Sequence, residues 1–510
     1  MVIMIRATGA TQHKWSWALV VLAIPARAVP ADWSIAPSVR LGESYTDNVN
    51  LSPQAQARSA WATELAPAIA VTATGPRLSL RLDYALQERR STVEAPRRTQ
   101  LLDSSVHGEL LPDWLTVDAR AGISQQNLSA FGPQITDPGQ NSANRTTTHT
   151  LSVAPTLKHD FRGLATAELR YAYDSVRSDR LYDVHNHDVR LTVSGDNDGR
   201  GWQWQASADR NATHDAAMVP VINSDAAFTL RVPLDGRLTA FGTAGYEKAD
   251  YQAIGNPPQG RYWSAGAAWN PSVRTSVTAS VGRRYFGQTH SLDLQYRMHA
   301  MYWTLNYNED ITTTSAQFLS LQPDAVGNFL YQLWASRIPD PQLRLQTVNT
   351  FLRVSQLLGP YAGNVNYFSH NYFLQKQWHA ATVYSGARST LALGLSATQR
   401  TAQTRSTIDS PLLPPGQLAA DDHTRQRAAQ AGWSWRLSPR DSVNLTGSYS
   451  AIDAIDTGRR DQNRTVTVNF TRQLQPRLTA TVDLRHATHR SNAGGNYREN
   501  GAGAALILLF

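Results

Sequence analysis

From Trp33 to Phe510 the chain alternates apolar and polar residues with a period of two, segment after segment. Between Leu164 and Asp174, Ala165, Ala167, Leu169, Tyr171 and Tyr173 fall on one side; Thr166, Glu168, Arg170, Ala172 and Asp174 fall on the other. Leu78, Leu80, Leu82, Tyr84 and Leu86 alternate with Ser79, Arg81 and Asp83. Leu478, Ala480, Val482 and Leu484 alternate with Thr479, Thr481, Asp483 and Arg485. Successive side chains of a strand point to opposite faces, so each segment reads as a strand with one apolar and one polar wall. Beyond the first thirty residues there is no run of about 20 apolar residues to cross a bilayer as a helix.

Segmentation gives 22 strands, starting near Trp33, Ala60, Leu78, Thr99, Leu115, Thr146, Leu164, Asp183, Trp202, Ala226, Leu238, Arg261, Ser276, Ser291, Met301, Asn371, Thr390, His423, Ser442, Arg464, Leu478 and Tyr497. Links after even-numbered strands are short and rich in turn formers, such as Thr74 to Arg77, Leu234 to Arg237 and Leu437 to Arg440. Links after odd-numbered strands are usually longer and polar, such as Ser129 to Arg145 and Thr401 to Asp422. Strand length of about ten, the alternation and the two loop classes agree on an all-β, transmembrane, antiparallel up-and-down β-barrel. In lipid such a sheet must close, because an open edge leaves N–H and C=O groups unpaired. A β-sandwich or propeller also alternates, but needs neither two loop classes nor aromatics at the strand ends. Here Trp33, Tyr45, Trp61, Trp114, Trp202, Tyr251, Tyr262, Tyr285, Tyr384 and Tyr449 sit near strand termini, as interfacial girdles do.

Both ends of the chain fit a Gram-negative outer membrane. Arg6, His13 and Lys14 precede an apolar stretch from Trp15 to Ile24, then Pro25 and Ala26-Arg27-Ala28, the order of a secretory signal peptide. Residues 1–28 are expected to be removed, leaving 29–510 as barrel. Gly503 to Phe510 closes on an aromatic, with Leu508, Leu506 and Ala504 on its face. Gly503, Leu506, Leu508 and Phe510 form the candidate assembly signal for the barrel-assembly machinery. The first strand is expected to begin almost at the cleavage site, which disfavours the energised receptors that carry a plug domain before their first strand. The chain has no Cys, so disulfides, thiol catalysis and Cys-bound metal are excluded. The net charge of +8 is spread along the chain among acids, which argues against nucleic acid as a partner.

Two stretches resemble a known family. They are Trp33-Ser-Ile-Ala-Pro-Ser-Val-Arg-Leu-Gly-Glu-Ser-Tyr-Thr-Asp-Asn-Val-Asn-Leu-Ser-Pro53, and Asn371-Tyr-Phe-Leu-Gln-Lys-Gln-Trp378 followed by Gly386-Ala-Arg-Ser-Thr390. They resemble the outer-membrane β-barrel proteins associated with the PEP-CTERM/exosortase system, a branch of the β-barrel porins. The resemblance implies a role in exopolysaccharide or envelope polymer export, with polysaccharide and periplasmic export components as partners. It carries no catalytic residues.

The polar walls supply candidate lumen residues of both signs: Arg81, Asp83, Glu168, Arg170, Arg284, Asp293, Arg297, Asp483 and Arg485. They would form either a ladder for a hydroxyl-rich or acidic polymer or neutralising pairs that stiffen a wide barrel. The segment 312–365 breaks the alternation. Asp340-Pro341 through Gly359 reads as a capped amphipathic helix, and a shorter helix is expected over Asp324 to Ser336. This long, partly helical internal loop is a candidate lid or constriction, with Phe329, Trp334, Phe351 and Leu352 as its apolar contacts. The alternative is a cap on the rim. His185 and His187 share a face but lack a third metal ligand. Ser194 to Gly199 looks like a calcium loop without its distant Glu. No Ser/His spacing singles out a nucleophile with its base, so neither enzyme activity nor a cofactor is expected.

The expected function is therefore an outer-membrane conduit. A general diffusion porin and a non-conducting structural barrel are the alternatives. The loop classes fix a testable topology. Epitope tags in 140–146 or 409–417 should be accessible on intact cells, and tags at Gly75-Pro76 or Ser438-Pro439 should not. Surface labelling of the short turns would invert the orientation.

Overall fold

The computed structural model describes residues 31–134, 144–178, 182–195, 201–216, 218–254, 257–319, 368–404 and 423–510. They form one antiparallel sheet of 22 strands. The first eleven are β1 (Asp32–Thr46), β2 (Ala60–Thr74), β3 (Leu78–Ser91), β4 (Arg97–Leu111), β5 (Leu115–Asn127), β6 (Arg145–Asp160), β7 (Thr166–Ser178), β8 (Tyr182–Gly195), β9 (Gln203–Asp215), β10 (Val221–Pro233) and β11 (Leu238–Ala249). The others are β12 (Gln259–Ser272), β13 (Thr275–Arg284), β14 (Gly287–Arg297), β15 (Met301–Thr312), β16 (Phe373–Ser385), β17 (Ser389–Ala402), β18 (His423–Arg436), β19 (Asp441–Ala454), β20 (Arg460–Gln475), β21 (Leu478–Ser491) and β22 (Tyr497–Leu509). Each strand pairs with the next in sequence, and β22 returns to β1, so the sheet is closed.

The closing seam pairs Ser38–Thr46 of β1 with Leu509–Gly501 of β22, and the amide of Phe510 donates to the Pro37 carbonyl at 3.0 Å. Side chains clasp the other end of the seam. Glu499, fully buried, receives both the Arg485 guanidinium (2.8 and 3.1 Å) and the Thr46 hydroxyl (2.8 Å). Just beyond, Asn500 donates its backbone and side-chain amides to Asp47 at 2.7 and 2.6 Å. Gly503, opposite Ser44, faces inward: a Cβ there would lie 2.7 Å from the Asp483 carboxylate.

Cross-strand partners share a face, so the register fixes what looks out. The outward positions are Ile35 (63% exposed), Leu41 (53%), Leu169, Leu191, Leu395 (61%), Val468 and Leu484 (55%), with many like them around the circumference. A continuous belt of this kind far exceeds the apolar patches of about 300–600 Å² on soluble monomers. Its counterpart is the hydrocarbon layer. No helix among the described residues is long and apolar enough to cross a membrane; the strands do so.

The connections at the end that carries both sheet termini are all short; the long ones lie at the other end, together with short ones such as the two-residue link between β13 and β14. One expectation needs correction. Tyr251, Tyr262 and Tyr285 do not join the outer girdle. Tyr262 points inward and donates to Asp225 at 3.2 Å, and Tyr251 is buried with its hydroxyl 2.8 Å from that of Tyr285. They follow the inward parity of their strands and the inward turn of their loops. Trp33, Trp61, Trp114, Trp202 and Tyr384 are exposed on the outside, as a girdle requires. The helices expected over 324–336 and 340–359 lie outside the described residues, as does the signal segment 1–28. The helix described is α1 (Thr314–Leu319).

Leu506, Leu508 and Phe510 stand outward beside the seam. Phe510→Ala, or deletion of 508–510, removes apolar seam contacts and should lower insertion and raise periplasmic degradation. A normal amount of heat-modifiable barrel after the deletion would refute an assembly role for this strand end.

Candidate functional site

The polar walls meet inside the barrel, and at the long-loop end the chain itself turns into them. The first inward segment follows β5. Leu128, Ser129, Ala130, Phe131 and Gln134 are buried. The Asn144 side chain ties the turn, receiving the Ser129 amide at 2.7 Å and donating to the carbonyls of Ser129, Phe131 and Pro133. The Gly132 amide then donates to Asp461 of β20 at 2.8 Å. Asp461 is fully buried and also receives Arg459 (3.0 and 3.1 Å) and the Ser491 hydroxyl (2.5 Å). The Arg459 guanidinium lies 4.8 Å from the Phe131 ring centroid. Phe131 thus packs in one cluster with Phe373, Ile452 and Ala454, which belong to the far wall.

The second inward segment is the pair of ends of the β15–β16 connection. On α1, Gln317 accepts from Arg400 at 2.8 Å and donates to Gln375 at 2.9 Å. Phe318 and Phe368 pack with tilted rings 5.1 Å apart and join Leu128, Val176, Tyr182 and Val184 on the β5–β8 side. The Phe368 amide donates to the Leu128 carbonyl at 3.2 Å. His370 meets Asp215 at 2.5 Å and stacks on Tyr182. Tyr372 stacks on Tyr251 at 4.6 Å. A third strand of contact links Ala253 to Thr404 as an isolated bridge, with Ile254 donating to Gln403 at 2.7 Å. Burial pushes the Tyr372 hydroxyl up to about 12 and raises that of Tyr251, so both rings stay neutral in this mouth.

The nine lumen candidates all carry inward parity. Several are charge pairs. Arg81 meets Asp83 at 2.7 Å, Arg170 meets Asp188 at 4.0 Å, and Arg485 belongs to the seam clasp. Arg284 bridges Glu247 and Asp310 at 2.5 and 2.6 Å. Asp293 receives the amides of Asn306 and Gln295. Glu168 lies opposite Lys158 and Thr192, and Arg297 opposite Tyr302. Phe329, Trp334, Phe351 and Leu352 lie outside the described residues. His185 and His187 stand on the outer face at the rim, bonded to Tyr173 and Tyr171. Among the described residues no group of three or more His, Asp or Glu is placed to hold a metal ion. Sequence reasoning missed Asp461, Glu499, Arg400 and Phe131. For Phe131 a signal existed: a lone aromatic in a polar link, Ser129-Ala-Phe-Gly-Pro133.

Under the mouth lies a hollow of about 300 Å³. The acids Asp209, Asp225, Glu247 and Asp310, the amides Asn211 and Asn223, and Arg284 surround it.

A closed sheet with an apolar outer belt and a polar interior is a membrane-spanning β-barrel of the outer-membrane kind. Among solved structures the chain is similar to the siderophore receptor PirA from Pseudomonas aeruginosa, at 10% identity over 93% of this chain and 80% of that one, TM-score 0.46. It is also similar to the FrpB iron transporter from Neisseria meningitidis (9% identity, 93% and 82% coverage, TM-score 0.48) and to OccK1 from Pseudomonas aeruginosa (9% identity, 94% and 99% coverage, TM-score 0.35). No protein-family model and no curated protein matches the sequence. The class rests on the closure and the belt.

Asp461 should anchor the first inward segment. Asp461→Asn weakens charge-assisted bonds to Gly132, Ser491 and Arg459. Loss of such a buried partner costs about 1–3 kcal/mol, or roughly 5- to 150-fold in local opening. Hydrogen exchange at Phe131 and Gly132 should accelerate by that factor while the β-ladder amides keep their protection. Unchanged exchange would mean that the segment is held by packing alone.

Proposed function

We propose that the protein is an outer-membrane channel for small polar solutes, its mouth narrowed by its own loops. The convergence of 128–134, 313–319 and 368–372 across the lumen, above the acid-lined hollow, carries this reading. That hollow is at the lower end of the range of about 300–1,000 Å³ typical of small-molecule sites. Its carboxylates and amides offer acceptors to hydroxyl groups and cations, and Arg284 holds Glu247 and Asp310 in place. A wall of paired charges presents polar groups along the path with little net field.

Polymer export, which the family resemblance implies, is the second reading. The paired charges from Arg81–Asp83 to Arg170–Asp188 favour it, since they line a polar track below the mouth. A chain of sugars would pass only after the inward segments leave the lumen. Conductance in planar bilayers separates the readings. The full chain is compared with one in which Thr313–Asn364 is replaced by a short Gly/Ser linker. A barrel held by strand-to-strand bonds survives this change. For the channel reading the full chain conducts small ions, small sugars reduce its current, and the replacement raises conductance. Block by long oligosaccharides confined to the replaced chain would favour export through a displaceable mouth. Absence of conductance in both, with intact barrels, would leave a structural barrel.

A further inference from the structure

Past the apolar belt, toward the long loops, the outward face of β18–β22 changes chemistry. Its outward rungs are fixed by register. Leu445, Val468 and Leu484 form one, and Gly447, Val466 and His486 the next. Then come Tyr449, Arg464, Thr488 and Arg498; Arg427, Ala451, Gln462 and Arg490; and Arg425, Asp453 and Arg460. Six arginines therefore occupy three successive rungs directly above the belt.

Asp453 is the acid among them, and it takes Arg460 at 2.5 Å. Arg464 lies over the Tyr449 ring, 5.5 Å from its centroid. Arg425, Arg427, Arg490 and Arg498 are exposed and make no ion pair among the described residues. Arg460, Arg490 and Arg498 line an open hollow of about 900 Å³. At the short-turn end of these strands the outward charges are Arg472 and Asp441, a mutual pair at 3.7 Å. Elsewhere on the long-loop rim, acids such as Glu43, Glu88, Asp183 and Glu309 stand among the outward bases.

Rungs are about 6.6 Å apart and strands about 4.8 Å, so the arginine field spans roughly 13 by 19 Å. A disaccharide bearing two phosphates fits that area. The guanidinium fork grips phosphate oxygens in pairs. The apolar rungs below continue the same surface, which selects an amphiphile over a soluble anion.

We propose that the outward face of β18–β22 binds a phosphorylated glycolipid of the outer leaflet. Its phosphates lie on Arg425, Arg427, Arg464, Arg490 and Arg498, and its acyl chains on Val466, Val468 and Leu484. The inference rests on the membrane belt and is independent of conduction. The test uses the full chain in detergent and measures binding of diphosphorylated lipid A, its dephosphorylated form and inorganic phosphate. The diphosphorylated form should bind at least tenfold more tightly than the dephosphorylated one. Combined Arg464→Gln, Arg490→Gln and Arg498→Gln should weaken it at least tenfold, while Arg472→Gln leaves it unchanged. Heat-modifiable migration reports folding. If the triple variant does not fold, Arg425→Gln with Arg427→Gln carries the same expectation. Equal binding of both glycolipids, wild-type affinity in the folded variants, or full displacement by equimolar inorganic phosphate would each overturn the proposal.

Discussion

In hydrocarbon a backbone amide has nothing to bond except another part of the chain. Every other feature of this protein follows from satisfying that requirement with strands. Twenty-one hairpin pairings leave two edges, and β1 and β22 cancel them by pairing with each other. The seam is shorter than the β1–β2 ladder beside it, nine residue pairs against fifteen. The side-chain clasp of Thr46, Arg485 and Glu499 reinforces it where the backbone ladder ends. Closing the sheet also creates an interior, and the period of two fills it with polar groups because the other face must suit lipid.

That interior sets the terms for charge. Isolated ions in a protein-walled lumen are costly, and pairs such as Arg284 with Glu247 and Asp310 offset the cost. The interior also offers inward-turned loops an environment that bulk water does not. Phe131 and Phe368 bury apolar rings against the opposite wall, and each segment is tied by bonds to polar groups of the wall, Asp461 for the first and Arg400 and Asp215 for the second. The mouth is thus assembled from side chains of the wall and backbone of the loops.

The wall was legible in the sequence and the mouth was not. The starts at Ala60, Leu78, Leu115, Leu238, Met301, His423, Leu478 and Tyr497 coincide with those observed, because alternation is local and lipid enforces it. For β10 the alternation marks a start at Ala226, and the strand begins at Val221. Residues 221–225 stand at the long-loop end, where the belt has given way to polar surroundings and both faces carry polar residues. Tyr262 and Tyr251 resemble girdle residues in the sequence because proximity to a strand end says nothing about parity or loop direction. Asp461 and Gly132 meet across more than three hundred positions of sequence, and no local pattern records such a pair.

The contacts of the mouth also impose an order in time. Phe131 lies in the link after β5, and its partners Phe373, Ile452 and Ala454 come from β16 and β19. By sequence these are distant, and in an unfinished sheet nothing places them opposite one another. Contacts of such long range are slow to gain while the loop entropy is unpaid. The mouth can form only once the strands on both flanks, β5–β8 and β16–β20, are in the sheet, so an intermediate that lacks the later strands has an open lumen, and the narrowed lumen marks a molecule close to completion.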